Sequence, residues 1–301
     1  MQVKLALMAK IVPFLNRSRY SHNLVELCAM ISMILVGSSA MAFADNKSTF
    51  YQADNLELGL PVKTDSAHLR FQVYGFHTGL SINEDLKASR RRYDGYGIGL
   101  HQGEINFRND RYSELFFRGA YDRLRSRNGS LQQQAFGQLQ FNCLWRISEN
   151  KKGLWFFGAH INASGNYRIY EKLSNNNEQW DVLGNLGAGL KYILPERKMG
   201  FLHRWQFTSQ FNLSLFGYLN RPHYSLASYA PEHHWGVPGQ LNRLEYSISA
   251  LIPAGKDIEN MYRIQYRWEM LHHRQNEAQQ LVLARHSLSF CFLFLNKKSK
   301  Q

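Results

Sequence analysis

Between Trp205 and Leu219 the chain reads WQFTSQFNLSLFGYL, and its residues sort into two phases, two positions apart. One phase holds Trp205, Phe207, Ser209, Phe211, Leu213, Leu215, Gly217 and Leu219. The other holds Gln206, Thr208, Gln210, Asn212 and Ser214, with Phe216 and Tyr218 at its far end. Side chains of a β-strand point alternately to its two faces, so the stretch predicts a strand with one apolar and one polar face. It is far longer than the roughly 5–6 residues of an ordinary strand.

The alternation recurs. Leu131, Ala135, Gly137, Leu139, Phe141, Cys143, Trp145 and Ile147 oppose Gln132, Gln134, Gln138, Gln140, Asn142 and Arg146. Further on, Trp180, Val182, Gly184, Leu186, Ala188, Leu190, Tyr192 and Leu194 share a phase. Tyr262, Ile264, Tyr266, Trp268 and Met270 face away from Arg263, Gln265, Arg267 and Glu269. The last such run sets Val282, Ala284, Leu288, Phe290, Phe292 and Phe294 against Arg285, Ser287 and Ser289. Strands are predicted near 68–79, 94–107, 112–122, 131–147, 154–167, 179–194, 201–219, 241–252, 261–271 and 281–295.

The connections alternate as well. Asn109-Asp110 and residues 148–153, 195–200 and 253–260 are short, whereas 80–93, 123–130, 168–178, 220–240 and 272–280 are longer and more polar. Long strands with a greasy face need either a soluble core or lipid outside them. Lipid allows no unpaired backbone, so a sheet that crosses it must close. The fold expected is all-β: a transmembrane up-and-down antiparallel barrel of about ten strands over residues 68–295, lipid outside and polar phase within. Twelve strands are the alternative, if residues 53–62 and one long loop hide two more. An exported soluble β-domain is the other.

Composition sharpens this. With 44% apolar and 14% aromatic residues the chain is not a disordered one. No run of eighteen apolar residues offers a membrane helix. Residues Leu24 to Ala44 follow Lys4, Lys10, Arg17 and Arg19, have an apolar centre from Leu27 to Val36, and end in Ala42-Phe43-Ala44. That order is a signal peptide over 1–44, cleaved before Asp45, with a short anchor or buried helix as the alternative. Residues 45–67 then form a periplasmic segment and 296–301 a basic periplasmic tail. Subtracting the four leader cations and Glu26 from 36 basic and 23 acidic residues leaves a net charge of +10. In an exported protein this favours anionic lipid or polysaccharide over nucleic acid. Cys143 and Cys291 are too few for a disulfide scaffold.

The leader, the alternating strands and the aromatic final strand together resemble Gram-negative outer-membrane β-barrel proteins as a class. The resemblance implies an outer-membrane location, and as partners the membrane's lipid, lipopolysaccharide and the barrel-assembly machinery. Ten-stranded members include omptin proteases, which use extracellular paired aspartates with a His–Asp dyad. The acids in the expected loops here are Glu84, Asp85, Asp94, Glu171, Glu178, Glu232 and Glu277, and they form no such pattern.

The polar phase gives a lumen containing Glu114, Arg118, Arg146, Asp181, Lys191, Arg204, Arg243, Glu245, Arg263, Arg267, Glu269 and Arg285. Buried charges need partners, so these should form an Arg–carboxylate and Arg–amide network. It reads either as a structural plug or, since cations outnumber acids, as a narrow anion-preferring path. Arg90, Arg91 and Arg92, then Arg123, Arg125 and Arg127, fall in expected outer loops, where guanidinium would pair with glycolipid phosphate or simply be solvated. His233, His234, His272 and His273 could gather at a rim as metal ligands, though at no fixed spacing. The pair His223 and Ser225 resembles the His–Ser pair of outer-membrane phospholipases without that family's surrounding signature. The expected function is a non-enzymatic barrel, closed or narrowly conducting, that binds anionic glycolipid; the alternative is a surface hydrolase. No cofactor is expected. The glycines of GYGIGLHQG (95–103) lie within an alternating strand and read as close packing, not as a nucleotide loop.

Overall fold

The computed structural model describes residues 69–86, 89–108, 110–150, 153–171, 177–194, 197–199, 202–222, 231–254, 260–274 and 280–296. The leader, the segment to residue 67 and the tail beyond Asn296 lie outside these, as do His223 and Ser225. Twelve strands follow one another: β1 (Leu69–Asp85), β2 (Ser89–Phe107), β3 (Arg111–Ser126), β4 (Leu131–Asn150), β5 (Gly153–Tyr170), β6 (Glu178–Ile193), β7 (Arg197–Met199), β8 (Leu202–Pro222), β9 (Pro231–Gly236), β10 (Leu241–Pro253), β11 (Asn260–Arg274) and β12 (Gln280–Leu295).

Ten of them are staves. Each pairs antiparallel with its neighbours around β1-β2-β3-β4-β5-β6-β8-β10-β11-β12, and β12 returns to β1 through Phe71 opposite Leu295. The short strands β7 and β9 pair only with β8, antiparallel to it at its two ends. The protein is therefore a closed ten-stranded antiparallel β-barrel. Closure pairs both edges that an open sheet would leave bare. The staves run from 13 residues in β10 to 21 in β8. A tilted crossing needs only about 9–11. Gly129, with φ of 73°, turns the chain between β3 and β4 in the left-handed region that glycine tolerates best.

Two expectations about connections are corrected. Residues 80–93 and 123–130 are not long loops. β1 continues to Asp85 and β2 begins at Ser89, while β3 continues to Ser126. The period of two simply persists through polar residues there: Ser81, Asn83 and Asp85 continue the inward phase of His77, and all four are buried.

The opening stretch is also corrected at its end. Leu186 pairs with Phe216 but its neighbour Gly187 pairs with Ser214, so Leu215 is an extra residue, a β-bulge. Beyond it the phases exchange faces. Phe216 lies outside, 59% exposed, and Leu219 lies inside, fully buried. Gly217 faces inward too, where an added Cβ would strike Leu241. The apolar Phe216 and Tyr218 in the otherwise polar phase are the trace of that bulge.

The outer surface carries Phe76, Leu80, Ile98, Leu100, Phe117, Phe157, Leu186, Phe216 and Leu288, all well exposed, with aromatics toward both ends. At the end that holds Leu69 and Leu295, Trp155 stacks on Tyr192 with centroids 4.4 Å apart. Toward the far end lie Tyr96, Tyr121 and Trp235.

The interior departs from an all-polar lumen. Near the terminal end, Phe71, Val73, Ile105, Phe107, Tyr112, Phe116, Leu144, Leu154, Phe156, Ile193, Met261, Cys291 and Leu293 form one buried apolar layer. Near the far end a second set, Leu183, Leu219, Leu241, Leu271 and Leu281, packs together beside a cluster of Tyr93, Leu124 and Tyr170. Fully burying each large apolar side chain is worth about 1.5–3 kcal/mol. The charged residues lie between and among these layers.

Candidate functional site

The interior charges are held from opposite staves. On β3 and β11, Arg118 Nη2 donates to Glu269 Oε2 at 2.9 Å, and Arg263 Nη1 to Glu114 Oε1 at 3.2 Å. Glu269 also accepts from Arg243 Nη2 of β10 at 3.2 Å. Arg267 Nη1 reaches across to Gln140 Oε1 of β4 at 2.7 Å and lies 3.1 Å from Glu245 Oε1. Arg118 also bonds Gln138, and Arg285 pairs with Asp122 and donates to Ser81 Oγ at 3.0 Å. Lys191 Nζ donates to Gln210 Oε1 at 3.0 Å and sits 4.0 Å above the Tyr112 ring. Three of these contacts, Arg118–Glu269, Arg263–Glu114 and Arg267–Gln140, join staves four or five places apart in a ring of ten, so side chains cross the lumen.

Ten of the twelve lumen residues expected from sequence are buried here: Glu114, Arg118, Asp181, Lys191, Arg243, Glu245, Arg263, Arg267, Glu269 and Arg285. Arg146 is the exception. It lies at the terminal rim beside a register break, only partly buried, and its Nη1 meets Glu149 at 2.6 Å. The Arg204 side chain lies outside the described residues.

Sequence reading missed three members of a far-end quartet that includes Asp181. Arg168 Nη2 donates to Asp181 Oδ2 at 2.5 Å and lies 3.5 Å from Asp85, while Arg221 bonds Asp85 from the other side. All four are essentially inaccessible to solvent. Three of them were assigned to loops. The signal was their phase: Arg168 continues Ser164 and Asn166, and Arg221 continues Leu219 after the bulge.

Glycines of β2 face the same interior. A Cβ on Gly97 would strike Asp122, one on Gly99 the His77 ring, and one on Gly103 the Phe116 ring. These positions let lumenal side chains lie against the wall, the close packing read from GYGIGLHQG.

A second arrangement lies on the outer wall at the far end. Arg92 of β2 and Arg123 and Arg125 of β3 are exposed, and Arg127 stands in the turn after β3. Arg123 is registered opposite Tyr96, and Arg125 opposite Asp94. A groove of about 670 Å³ runs beside them, floored by Leu80, Ile82 and Tyr96 and edged by Arg91, Arg92, Arg127 and His286. The cations thus stand mostly on strands above the apolar belt rather than in loops. The Arg90 side chain lies outside the described residues.

The four histidines do not gather as one set, although His234 and His273 come near each other. His233 is exposed and bonds the Tyr218 hydroxyl at 2.5 Å; His272 meets Gln280 Nε2 at 3.3 Å. His234 lies 3.2 Å from Glu232 and its ring centroid is 5.2 Å from that of His273. Strand alternation separates each adjacent pair onto opposite faces. Among the described residues no three His, Cys, Asp or Glu side chains are placed to hold a metal ion. Cys143 and Cys291 are free and buried.

No protein-family model matches the chain, and no curated protein does. Solved structures do. The outer-membrane protease OmpT of Escherichia coli is 9% identical, with 76% of this chain and 97% of that one covered at a TM-score of 0.45. The translocator domain of the autotransporter NalP from Neisseria meningitidis is 8% identical, covering 91% and 98% at 0.36. The Pseudomonas putida toluene transporter TodX is 7% identical, covering 79% and 91% at 0.24. These neighbours are outer-membrane β-barrels. Their differing activities go with one architecture, and fold alone carries none of them over.

Proposed function

We propose that the protein is a non-conducting outer-membrane barrel that engages phosphorylated glycolipid on its outer wall. The observation that carries the reading is the groove lined by Leu80, Ile82 and Tyr96 together with Arg91, Arg92 and Arg127, with Arg123 and Arg125 exposed on the neighbouring strand β3. Acyl chain against the floor and phosphate against the guanidinium groups would satisfy both halves of such a lipid. With an even number of staves both termini lie at one end; with that end periplasmic, as in outer-membrane barrels generally, this wall would face the outer leaflet. The leader expected over 1–44 and the final strand β12 suit export and delivery to a barrel-assembly machinery.

Closure is supported by the interior: two apolar layers and a set of charges mostly paired across the lumen. The test is binding of lipopolysaccharide by the refolded mature protein. Changing Arg91, Arg92, Arg123, Arg125 and Arg127 together to Gln should weaken it at least tenfold, and added salt should weaken the wild type too, because exposed charges are screened beyond about 8 Å at physiological ionic strength. Glycolipid stripped of phosphate should bind the two proteins equally. Unchanged affinity in the quintuple variant would overturn the assignment. Esterase or peptidase turnover abolished by changing His223, Ser225, His233 and His234 to Ala would instead favour a surface hydrolase.

A further inference from the structure

Among the inward side chains of the barrel lies a second and much smaller cavity of about 40 Å³. Gln134, Ser164, Asn166, Arg243, Glu269 and Arg285 line it. By the measure of about 10–15 Å³ for one water, it holds either a few waters or one ion. Three lining atoms are buried and lack a hydrogen-bond partner: Arg243 Nε, Arg285 Nη1 and Gln134 Oε1. The two arginines are otherwise engaged, Arg243 with Ser164 and Glu269, Arg285 with Ser81, Asp122 and the face of Phe136 at 4.1 Å. Each therefore has one guanidinium nitrogen without an acceptor, and a buried donor in that position costs about 1–3 kcal/mol, more when charged.

Charge points the same way. Among the described residues the buried interior holds eight cations, Arg118, Arg168, Lys191, Arg221, Arg243, Arg263, Arg267 and Arg285, against six carboxylates, Asp85, Glu114, Asp122, Asp181, Glu245 and Glu269. The far-end quartet is balanced. Around the cavity it is not, because Glu269 serves both Arg118 and Arg243. We infer that this cavity binds a single small monovalent anion of halide size, held between Arg243 Nε and Arg285 Nη1. Gln134 adapts to it. Its amide donates to Asn166 Oδ1 at 3.0 Å; turning both amides over keeps that bond and presents an N–H to the cavity in place of the carbonyl. The Glu269 carboxylate in the wall excludes anions of higher charge.

The site is walled by residues of β1, β4, β5, β10, β11 and β12, so the test is run with the salt present during refolding. The mature protein is refolded in chloride, in bromide and in gluconate at equal ionic strength, and unfolding is followed in urea. Chloride and bromide should stabilise it saturably over gluconate, and halide at about a hundred times its Kd should shift the unfolding equilibrium by about a hundredfold. Gln134→Glu, which supplies a carboxylate at the same place, should abolish that dependence. Crystals grown in bromide should show an anomalous peak between Arg243 and Arg285. Identical curves in the three salts, or an empty anomalous map in the cavity, would mean that it holds water alone and would overturn the inference. Should Gln134→Glu fail to fold, the bromide map of the wild type decides. None of these readouts depends on glycolipid binding.

Discussion

At the level of single residues, the interior separates charges that hold the barrel from charges that decorate it. Glu269 Oε2 accepts from Arg118 and Arg243 with all three side chains at most 10% exposed. Removing the charge from one member of a buried group leaves its partners desolvated and unpaired, typically at a cost of about 3–5 kcal/mol. Glu269→Gln should therefore lower the unfolding free energy of the refolded protein, measured in urea, by an amount in that range. Glu149→Gln, which breaks the rim pair with Arg146 where the side chains are 33% and 25% exposed, should cost no more than about 1 kcal/mol. Equal effects at the two positions would contradict the division into core and rim. Most of the core set was legible from sequence because alternation assigns a face to every residue of a strand. Asp85, Arg168 and Arg221 were not, since a polar residue at a strand end reads the same as one in a loop.

Elements show where alternation misleads. In β8 a continuous period of two assigns Gly217 and Leu219 to the outside, and the bulge at Leu215 reverses that. A bulge has no residue signature of its own; only the misplaced Phe216 and Tyr218 record it. Deleting Leu215 would restore an unbroken register. It would also force either Leu219, Asn220 and Arg221 or the stretch from Gln206 to Ser214 onto the wrong face. A one-residue slip moves every side chain of a strand to the other side. The deletion should therefore abolish the heat-dependent gel migration of a folded barrel. Phe216→Arg should leave the register intact and cost no more than about 2–4 kcal/mol, the range for arginine on a lipid face at the midplane. A deletion variant that folds as stably as wild type would show that the bulge does not set the register. The apolar layers inside the barrel were equally hard to foresee. They use inward positions of all ten staves that sequence alone assigns to a strand without saying whether its inner face is wet or dry.

For the whole molecule, the layers act in series, and that gives the sharpest test of closure. An ion crossing the lumen must pass the terminal layer around Phe107, Tyr112 and Phe156, the crossed arginines, and the far-end layer of Leu219, Leu241, Leu271 and Leu281. Barriers in series are governed by the highest that remains, so opening one end should change little. Planar bilayers containing the refolded protein should show no unitary steps. Leu219→Ser with Leu281→Ser should stay silent, because the terminal layer is untouched, and Phe107→Ser with Phe156→Ser should stay silent for the complementary reason. All four together should admit small, anion-favouring currents, since the layer left between them carries two more cations than carboxylates among the described residues. Retained heat-dependent migration would show that each variant is folded before it is measured. Steady steps from the wild-type protein would replace the closed barrel with a narrow anion path. Currents from either double variant alone would place the whole barrier at one end.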